Sequence, residues 1–423
     1  MTSGASTHRG AAHLARLGLL GAATTLGPLS LNVYLPSLPA VQAEYGVDLA
    51  GVQATVSLPL VAFGIGLVLL GPLSDRYGRR PNLLWGLLLY ALGAGVAWLA
   101  PGLQGLTLGR SLCSLGAAMT FITARAVVAD ITPRERLQQS IAQMTMLVLV
   151  VQMLAPMLGT LIIATSGWRA IQFSQFCFGL LLLVLLWRFQ PETLPDATLA
   201  AQREDEGRAG TGASGLVATF RALLAPSARL LADGRFRRLL VQLGILYSAF
   251  PAFIAIAPHL MVEVFGRPES DYAFYFPLLP AGYFLGNAFV LRYGQRFSQR
   301  QLIVYGASGS ALSALLCLVL LLAGWQHPLV LFLTAGGLLN LGMGLSLPTT
   351  QARAVNQAWP HTASGWGLAG FAQQLVAACS VQLLGFLPGS SVYPVVLACL
   401  GLTVVALLLE AGLDPARREH AKS

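Results

Sequence analysis

Long apolar runs recur along the whole chain, and they constrain its fold more than any other feature. A helix that rises about 1.5 Å per residue needs about 20 apolar residues to cross about 30 Å of hydrocarbon. The runs of suitable length lie near 17–35, 49–71, 82–100, 103–128, 138–164, 168–189, 237–262, 272–292, 301–323, 327–352, 363–387 and 390–412. The sequence therefore predicts an all-α integral membrane protein with about twelve transmembrane helices.

The composition agrees with this fold class. Of the 423 residues, 55% are hydrophobic and 10% are charged, whereas soluble domains carry roughly 25% charged residues. The net charge of +9 could suit nucleic acid, but the basic residues lie in short loops and form no basic stripe, so the membrane surface explains them better. The five cysteines are scattered singly in apolar runs, which predicts packing residues rather than disulfides or a metal site. We expect no cofactor.

The positions of the basic residues predict the orientation of the chain. Arginines in short loops favour the cytoplasmic side, where anionic lipid attracts them. One set of alternate loops holds eight basic residues between 188 and 238 and, in addition, Arg76, Arg79, Arg80, Arg134, Arg136, Arg292, Arg296, Arg300 and Arg353. The opposite loops hold only Arg169 and Arg267. We therefore predict a multi-pass protein of the bacterial inner membrane with both termini in the cytoplasm.

These spans divide into two six-helix bundles. The predicted domains are a cytoplasmic tail 1–16, an N-terminal bundle 17–189, a cytoplasmic linker 190–236, a C-terminal bundle 237–412 and a cytoplasmic tail 413–423. The first apolar run is long for a signal peptide and lacks a convincing cleavage site, so we interpret it as a retained helix. Leucines at helical spacing over 216–231 predict an amphipathic helix on the membrane surface, and a partner-binding segment is the alternative.

The two halves carry repeated motifs. The sequence RYGRR at 76–80 recurs as RYGQR at 292–296, and ARAV at 124–127 recurs at 352–355. Both copies of each motif fall on the same predicted side. Six-helix repeats in one orientation imply a pseudo-two-fold axis along the membrane normal and a substrate route between the halves. A chance similarity of two arginine-rich loops is the alternative.

The loop at 71–80 also resembles a known family. Its sequence, GPLSDRYGRR, is similar to the G-x-L-x-D-R-x-G-R-R signature of the major facilitator superfamily, and four further stretches resemble the Bcr/CflA-type drug-efflux branch. They are YLPSLP at 34–39, APMLG at 155–159, GWRAI at 167–171 and PET at 191–193. The resemblance implies an alternating-access transporter and not an enzyme. It also implies a charge cluster that latches the outward-facing state, in which Arg79 meets Asp130 and Asp75 faces the end of a helix of the second half. The implied latch residues are Gly71, Asp75, Gly78, Arg79, Arg80 and Asp130.

Two more sites follow from the same resemblance. Arg110, in the fourth span, resembles the fourth-helix arginine of the efflux members, which is associated with proton coupling and substrate binding. An arginine that snorkels to the outer interface is the alternative. Pro156 and Gly159 resemble the antiporter motif of the fifth helix, where they would provide a kink and a close helix contact.

The chain departs from this branch at position 32. The branch carries an aspartate there, which is taken as a proton carrier, whereas Asn32 cannot titrate. The sequence leaves no carboxylate deep in the N-terminal half. His259 and Glu263, which share a helix face, are then the remaining candidates for a proton carrier, and an interfacial histidine is the alternative. Without a carrier, the protein could be a facilitator, or the substrate itself could carry the coupled charge.

The interior is predicted to hold a cavity of aromatic and amide side chains that suits a neutral or zwitterionic ring compound. The candidate lining residues are Asn32, Tyr34, Arg110, Gln152, Tyr247, Phe250, Phe253, Gln373 and Gln374. Each aromatic residue among them could instead pack against lipid or another helix.

We expect a monomeric, lipid-embedded carrier that exports drugs or other small organic compounds, with protons as the candidate coupling ion. A metabolite transporter, for example of nucleosides, and a non-transporting membrane sensor are the alternatives. The six histidines are dispersed and no span holds an acidic cluster, which argues against a membrane-embedded enzyme.

Overall fold

The computed structural model describes residues 3–70, 73–74, 77–132, 134–194, 225, 227–268, 270–358, 362–387 and 389–412, and these residues are almost entirely helical, with no strand. The twelve long helices within them are α1 (Ser3–Tyr34), α2 (Leu49–Leu69), α3 (Arg79–Leu99), α4 (Leu103–Ile131), α5 (Arg134–Ser166), α6 (Arg169–Phe189), α7 (Gly234–Glu263), α8 (Leu278–Tyr293), α9 (Gln299–Leu322), α10 (Pro328–Gln357), α11 (Thr362–Gly385) and α12 (Tyr393–Gly412). Short helices at Leu38–Tyr45 and Ser270–Tyr275 follow α1 and precede α8. The predicted all-α fold is confirmed.

Eleven helices in the described part of the chain are long and apolar enough to cross a membrane. The first helix, α1, is not one of them because its apolar part carries polar side chains that lower its mean hydropathy. These side chains, Thr24, Thr25, Ser30 and Asn32, are all buried within the protein. The polar groups of α1 therefore face other helices, as is usual for polar residues of membrane helices.

Glycines bring the same helix pair into close contact in each half. A Cβ atom added at Gly109 of α4 would collide with the backbone of Ala97 in α3, and one added at Gly306 of α9 would collide with the backbone of Gly342 in α10. Small residues allow membrane helices to pack with their backbones in near contact. Helices α3 and α4 thus pair in the first half as α9 and α10 do in the second, as expected for a repeated unit.

Successive helices run in opposite directions, so each end of the protein collects alternate loops. We call the end at which α3 begins, at Arg79, and α11 begins, at Thr362, the arginine-rich end. The opposite end is where α2 begins, at Leu49, and α11 finishes, at Gly385. Apolar side chains of both halves form one continuous core at this opposite end, where Tyr34 and Val52 join Phe250 and Leu260.

Three hydrogen bonds connect the halves within the described residues, and all lie toward the opposite end. Ser57 Oγ of α2 donates to Gln382 Oε1 of α11 at 2.7 Å, and Gln382 Nε2 donates to the carbonyl of Ala50 at 3.0 Å. Gln53 Nε2 of α2 donates to the carbonyl of Ala255 in α7 at 2.9 Å. A Cβ added at Gly385 would lie 2.9 Å from the Cα of Ala50. The two halves are therefore closed against each other at this end.

A buried ion pair ties three helices of the second half at the arginine-rich end. Glu410 of α12 is 2% exposed. Its carboxylate accepts hydrogen bonds from Arg353 Nη1 of α10 at 2.9 and 3.0 Å and from Gln242 Nε2 of α7 at 2.9 Å. Arg353 belongs to the ARAV repeat, so this network gives the second copy of that motif a structural partner.

Removing the Glu410 carboxylate should destabilise the protein. In Glu410→Ala, Arg353 loses its partner while remaining mostly buried, and we expect the free energy of unfolding to fall by about 2–3 kcal/mol. Thermal unfolding in detergent measures the change. The control is Glu44→Ala at the opposite end, where the half-exposed Glu44–Arg169 pair should contribute less than about 1 kcal/mol. Equal unfolding temperatures for the two variants would contradict the assignment.

Several predicted features lie outside the described residues. They are Gly71 and Asp75 of the implied latch and 195–224 of the linker. Of the predicted amphipathic segment 216–231, the described residues at 225 and 227–231 are helical. The domain boundaries and the role of that segment stay predictions.

Candidate functional site

Arg110 lies in the interior of the first half, among α1, α2 and α4. It is 2% exposed. Its guanidinium carbon lies 3.5 Å from the centroid of the Tyr34 ring, and its Nε donates to the carbonyl of Thr55 at 2.9 Å. The hydroxyl groups of Tyr34 and Thr55 are themselves 2.8 Å apart. Arg110, Tyr34 and Thr55 therefore form one compact group, and Arg110 does not snorkel to the outer interface.

This cation is not neutralised by the described part of the protein. The ion pairs there join other residues, namely Arg79–Asp130, Arg169–Glu44, Arg267–Asp271 and Arg353–Glu410. The Nη1 atom of Arg110 is buried and has no hydrogen-bond partner. A guanidinium keeps its charge at physiological pH, and burying it without a carboxylate is costly. The group can therefore offer a charged donor to a ligand that accepts hydrogen bonds.

Three more predicted cavity residues carry buried polar atoms without partners. These atoms are Asn32 Oδ1 in α1 and Gln373 Nε2 and Gln374 Oε1 in α11. Asn32 is fully buried, and its Nδ2 donates to the carbonyl of Pro28 in its own helix at 2.7 Å. Buried polar groups are normally satisfied, so each of these three atoms is a candidate for contact with a polar ligand.

The second half contributes a pair of neighbouring side chains next to α2. Tyr247 of α7 lies beside Gln374 of α11. A Cβ added at Gly64 of α2 would lie 3.0 Å from the Cβ of Gln374. Thr55 and Gly64 are nine residues apart, about 13 Å along a helix, so the Arg110 group and the Tyr247–Gln374 pair contact α2 at different depths.

The candidate lining residues Phe250, Phe253 and Gln152 differ in their surroundings, and their place in a cavity stays a prediction. Phe250 and Phe253 are 7% and 1% exposed and belong to the core that closes the opposite end. The Phe253 ring packs edge-on against Phe332 at a centroid distance of 5.4 Å. Gln152 of α5 is half-buried. The two phenylalanines are in contact with other core side chains, which was the alternative that the sequence left open for them.

His259 and Glu263 lie in the last turns of α7, at the opposite end of the protein. The His259 side chain contacts the α11–α12 loop at Gly389, and Glu263 is exposed. Neither side chain is among the groups that surround Arg110. Their role as proton carriers stays a prediction.

The implied latch residues that the structure describes form a network at the arginine-rich end. Arg79 Nε donates to Asp130 Oδ2 at 3.1 Å, and Arg79 Nη1 donates to Ser74 Oγ at 3.0 Å. Thr193 Oγ1 donates to the same Asp130 oxygen at 3.1 Å. This network connects α3, α4 and the segment after α6, all within the first half. Its action as a conformational latch stays a prediction.

Glu192 holds the beginning of α3, a contact that the sequence reasoning missed. Its carboxylate accepts the backbone N–H groups of Arg79 and Arg80, each at 3.0 Å, and those of Thr193 and Leu194. Partial burial acts to raise the pKa of Glu192, but these four hydrogen bonds outweigh it and lower the pKa below its usual value. The stabilisation is therefore present at neutral pH and is lost as the pH falls through the lowered pKa. The PET motif is the signal that could have found it.

Gly78 makes room for this cap. Its φ angle of 99° is one that side chains rarely adopt, and a Cβ there would lie 2.6 Å from Glu192 Oε2. Gly159 has a comparable role in the fifth helix, where an added Cβ would collide with the backbone of Val33 in α1. Pro156 lies inside α5 one turn earlier. This geometry is a close backbone contact between α1 and α5.

The fold and the interior site define a class of protein. Two six-helix units that pack against each other and carry buried polar side chains in their membrane spans have the architecture of a membrane transporter. The model of the Major Facilitator Superfamily matches residues 20–417, and the chain belongs to that family.

The comparisons with individual proteins agree with this family. The chain is 24% identical over 378 residues to an uncharacterized MFS-type transporter, YdgK, of Bacillus subtilis, covering 89% of this chain and 90% of the relative. It is 28% identical over 405 residues to a chloramphenicol resistance protein of Pseudomonas aeruginosa, covering 92% and 88%. Among solved structures, a D-xylose-proton symporter matches with a TM-score of 0.72 at 18% identity, covering 96% of this chain and 98% of that one. The match to the symporter shows a similarity of fold alone.

Proposed function

We propose that this transporter exports small aromatic compounds, such as chloramphenicol, from the bacterial cytoplasm across the inner membrane. The relative named for chloramphenicol resistance supports this substrate class. The arginine-rich loops support an orientation with both termini and the arginine-rich end in the cytoplasm. The carrier would act as a monomer embedded in lipid.

The observation that carries the proposal is the unneutralised Arg110 stacked on Tyr34. A guanidinium with a buried, unpartnered Nη1 can donate to a carbonyl, nitro or carboxylate oxygen. The adjacent Tyr34 and, in the second half, Tyr247 offer aromatic surface. A neutral or zwitterionic ring compound with one strong acceptor group fits both features.

Facilitated movement without proton coupling is the second candidate. Within the described residues, Glu410 is the one buried carboxylate, and it is paired with Arg353. Position 32, where the related efflux branch carries an aspartate, holds an amide. These two observations favour transport that does not consume a proton gradient, or a substrate that carries the coupled charge itself.

Flux of labelled chloramphenicol in vesicles tests the function. We expect saturable flux that requires the protein, measured with and without an imposed pH gradient. Vesicles in which the compound binds to the protein but does not cross the membrane would indicate a sensor. Flux that ignores the gradient would exclude proton antiport and support the facilitator.

The variant Asn32→Asp tests the role of position 32. The side chain is fully buried in α1 and its Oδ1 has no partner, so a carboxylate there would have to gain or lose a proton as its surroundings change. We expect the flux to become more dependent on the pH gradient. Asn82→Asp is the control, because Asn82 is a buried residue of α3 whose Nδ2 donates to Thr123 Oγ1 of α4 at 2.6 Å. An unchanged gradient dependence in Asn32→Asp would mean that position 32 is not part of the transport route.

A further inference from the structure

A groove of about 560 Å³ runs along the outside of the first half between α3 and α6. Its lining includes Arg80, Leu84, Trp85, Leu88, Val184 and Trp187. The two tryptophans are 64% and 60% exposed. Both helices are membrane spans, so the groove opens toward lipid and is separate from the interior around Arg110.

Arg80 lies at the arginine-rich end of this groove, and most of its donors are uncommitted. Its Nη2 donates to the carbonyl of Trp187 at 2.8 Å, and its Nε is buried without a partner. The described ion pairs do not include Arg80. The nearby carboxylate of Glu192 is already occupied by backbone N–H groups. The groove therefore has a cation at one end.

The remainder of the groove is apolar and follows the two helices into the membrane. From Arg80 to Leu88 is eight residues, which is about 12 Å along a helix. Leucine and valine side chains line this length, and Trp85 and Trp187 flank it close to the charged end. Tryptophan prefers the boundary between headgroups and hydrocarbon, which places Arg80 at the depth of lipid phosphates.

We propose that this groove binds an anionic phospholipid. One acyl chain lies between α3 and α6, and the headgroup phosphate accepts hydrogen bonds from Arg80. Guanidinium and phosphate form strong, charge-assisted hydrogen bonds, and the apolar length of the groove matches part of an acyl chain. A free phosphate ion would leave that apolar part unfilled.

Quenching of tryptophan fluorescence by brominated lipids tests this site. Six of the seven tryptophans are replaced, so that Trp187 is the sole fluorophore of this kind. The protein is then reconstituted into vesicles of phosphatidylglycerol and phosphatidylcholine, and in each sample one of the two lipids carries bromine. One arginine near the surface contributes about 1 kcal/mol toward an anionic lipid, so we expect a roughly five-fold preference for phosphatidylglycerol at Trp187. In Arg80→Gln the preference should fall to about one, whereas Arg80→Lys should retain most of it.

Arg188→Gln is the matched control. Arg188 is exposed, contacts the Phe189 ring and does not line the groove. The substitution Arg188→Gln removes the same charge from the same surface. The preference for phosphatidylglycerol at Trp187 should stay within about two-fold of that of the parent protein. Excess inorganic phosphate should also leave the preference unchanged.

Three results would overturn the proposal. An equal loss of the phosphatidylglycerol preference in Arg80→Gln and Arg188→Gln would mean that the basic surface attracts anionic lipid in general, without a specific site at Arg80. Equal quenching by both lipids in the parent protein would mean that the groove holds lipid without regard to charge. No quenching by either lipid would mean that another protein surface, such as a second copy of the chain, covers the groove.

Discussion

Replacing Arg110 by methionine should strongly reduce transport and at the same time make the protein harder to unfold. In the proposed site the guanidinium donates to the substrate, and a hydrogen bond to a charged group is worth about 1.5–3 kcal/mol. We therefore expect the flux of chloramphenicol in vesicles to fall at least about ten-fold. The apolar side chain fills a similar volume without charge.

The gain in stability has a separate physical cause. Arg110 is 2% exposed, and the described residues offer it one backbone carbonyl and one aromatic ring but no carboxylate. Replacing buried charge by an apolar side chain is often stabilising, and we expect the free energy of unfolding to rise by about 1 kcal/mol. Thermal unfolding in detergent measures this change alongside flux.

Two variants serve as controls for Arg110→Met. Arg169→Met removes an arginine at the opposite end that pairs with Glu44, and it should leave flux close to that of the parent protein. Arg110→Lys keeps the charge but loses the planar group that stacks on Tyr34, so its flux should be intermediate. Parent-like flux in Arg110→Met, or loss of flux together with a lower unfolding temperature, would contradict the role of Arg110 in binding.

The number and type of helices could be predicted because each membrane span is visible in the sequence as an apolar run. Each span needs a long apolar run, and the runs mark α2 to α12 without reference to any partner. The first helix was harder to predict, since its buried polar side chains lower its mean hydropathy. It was still found because enough apolar residues surround Thr24, Thr25 and Asn32.

The interior contacts were predictable where a motif carries them and not otherwise. The Arg79–Asp130 contact follows from a resemblance to a family loop, and Arg110 follows from a similar likeness. Ser57 and Gln382 are single polar residues in apolar runs, 325 positions apart. Nothing in the sequence pairs such residues, because only the packing of α2 against α11 brings them together.

The surroundings of the aromatic residues could not be predicted from the sequence either. A phenylalanine in a membrane helix has no polar atom that shows which way it faces, so the sequence could not separate a cavity wall from a packing contact. Phe253 packs against Phe332 of another helix. The amides were better guides, because the unpartnered buried oxygens of Asn32 and Gln374 require an explanation.

We infer that the two halves move against each other during transport and that the contacts at the opposite end must then open. Ser57 Oγ and Gln382 Oε1, 2.7 Å apart, connect α2 of the first half to α11 of the second. A covalent link between these two positions would hold that end closed. Alternating access requires the end to open once in each cycle.

The most direct test is a reversible cross-link between positions 57 and 382. All five native cysteines, of which Cys177 and Cys379 are exposed, are first replaced, and Ser57→Cys with Gln382→Cys is joined by a short, reducible reagent that reacts with thiols. The same link between Asn82→Cys and Thr123→Cys, a hydrogen-bonded pair within the first half, is the control. We predict that the link between the halves stops flux, that reduction restores it, and that the control link leaves flux unchanged. Undiminished flux through the protein cross-linked at 57 and 382 would show that the halves need not separate at this end during transport.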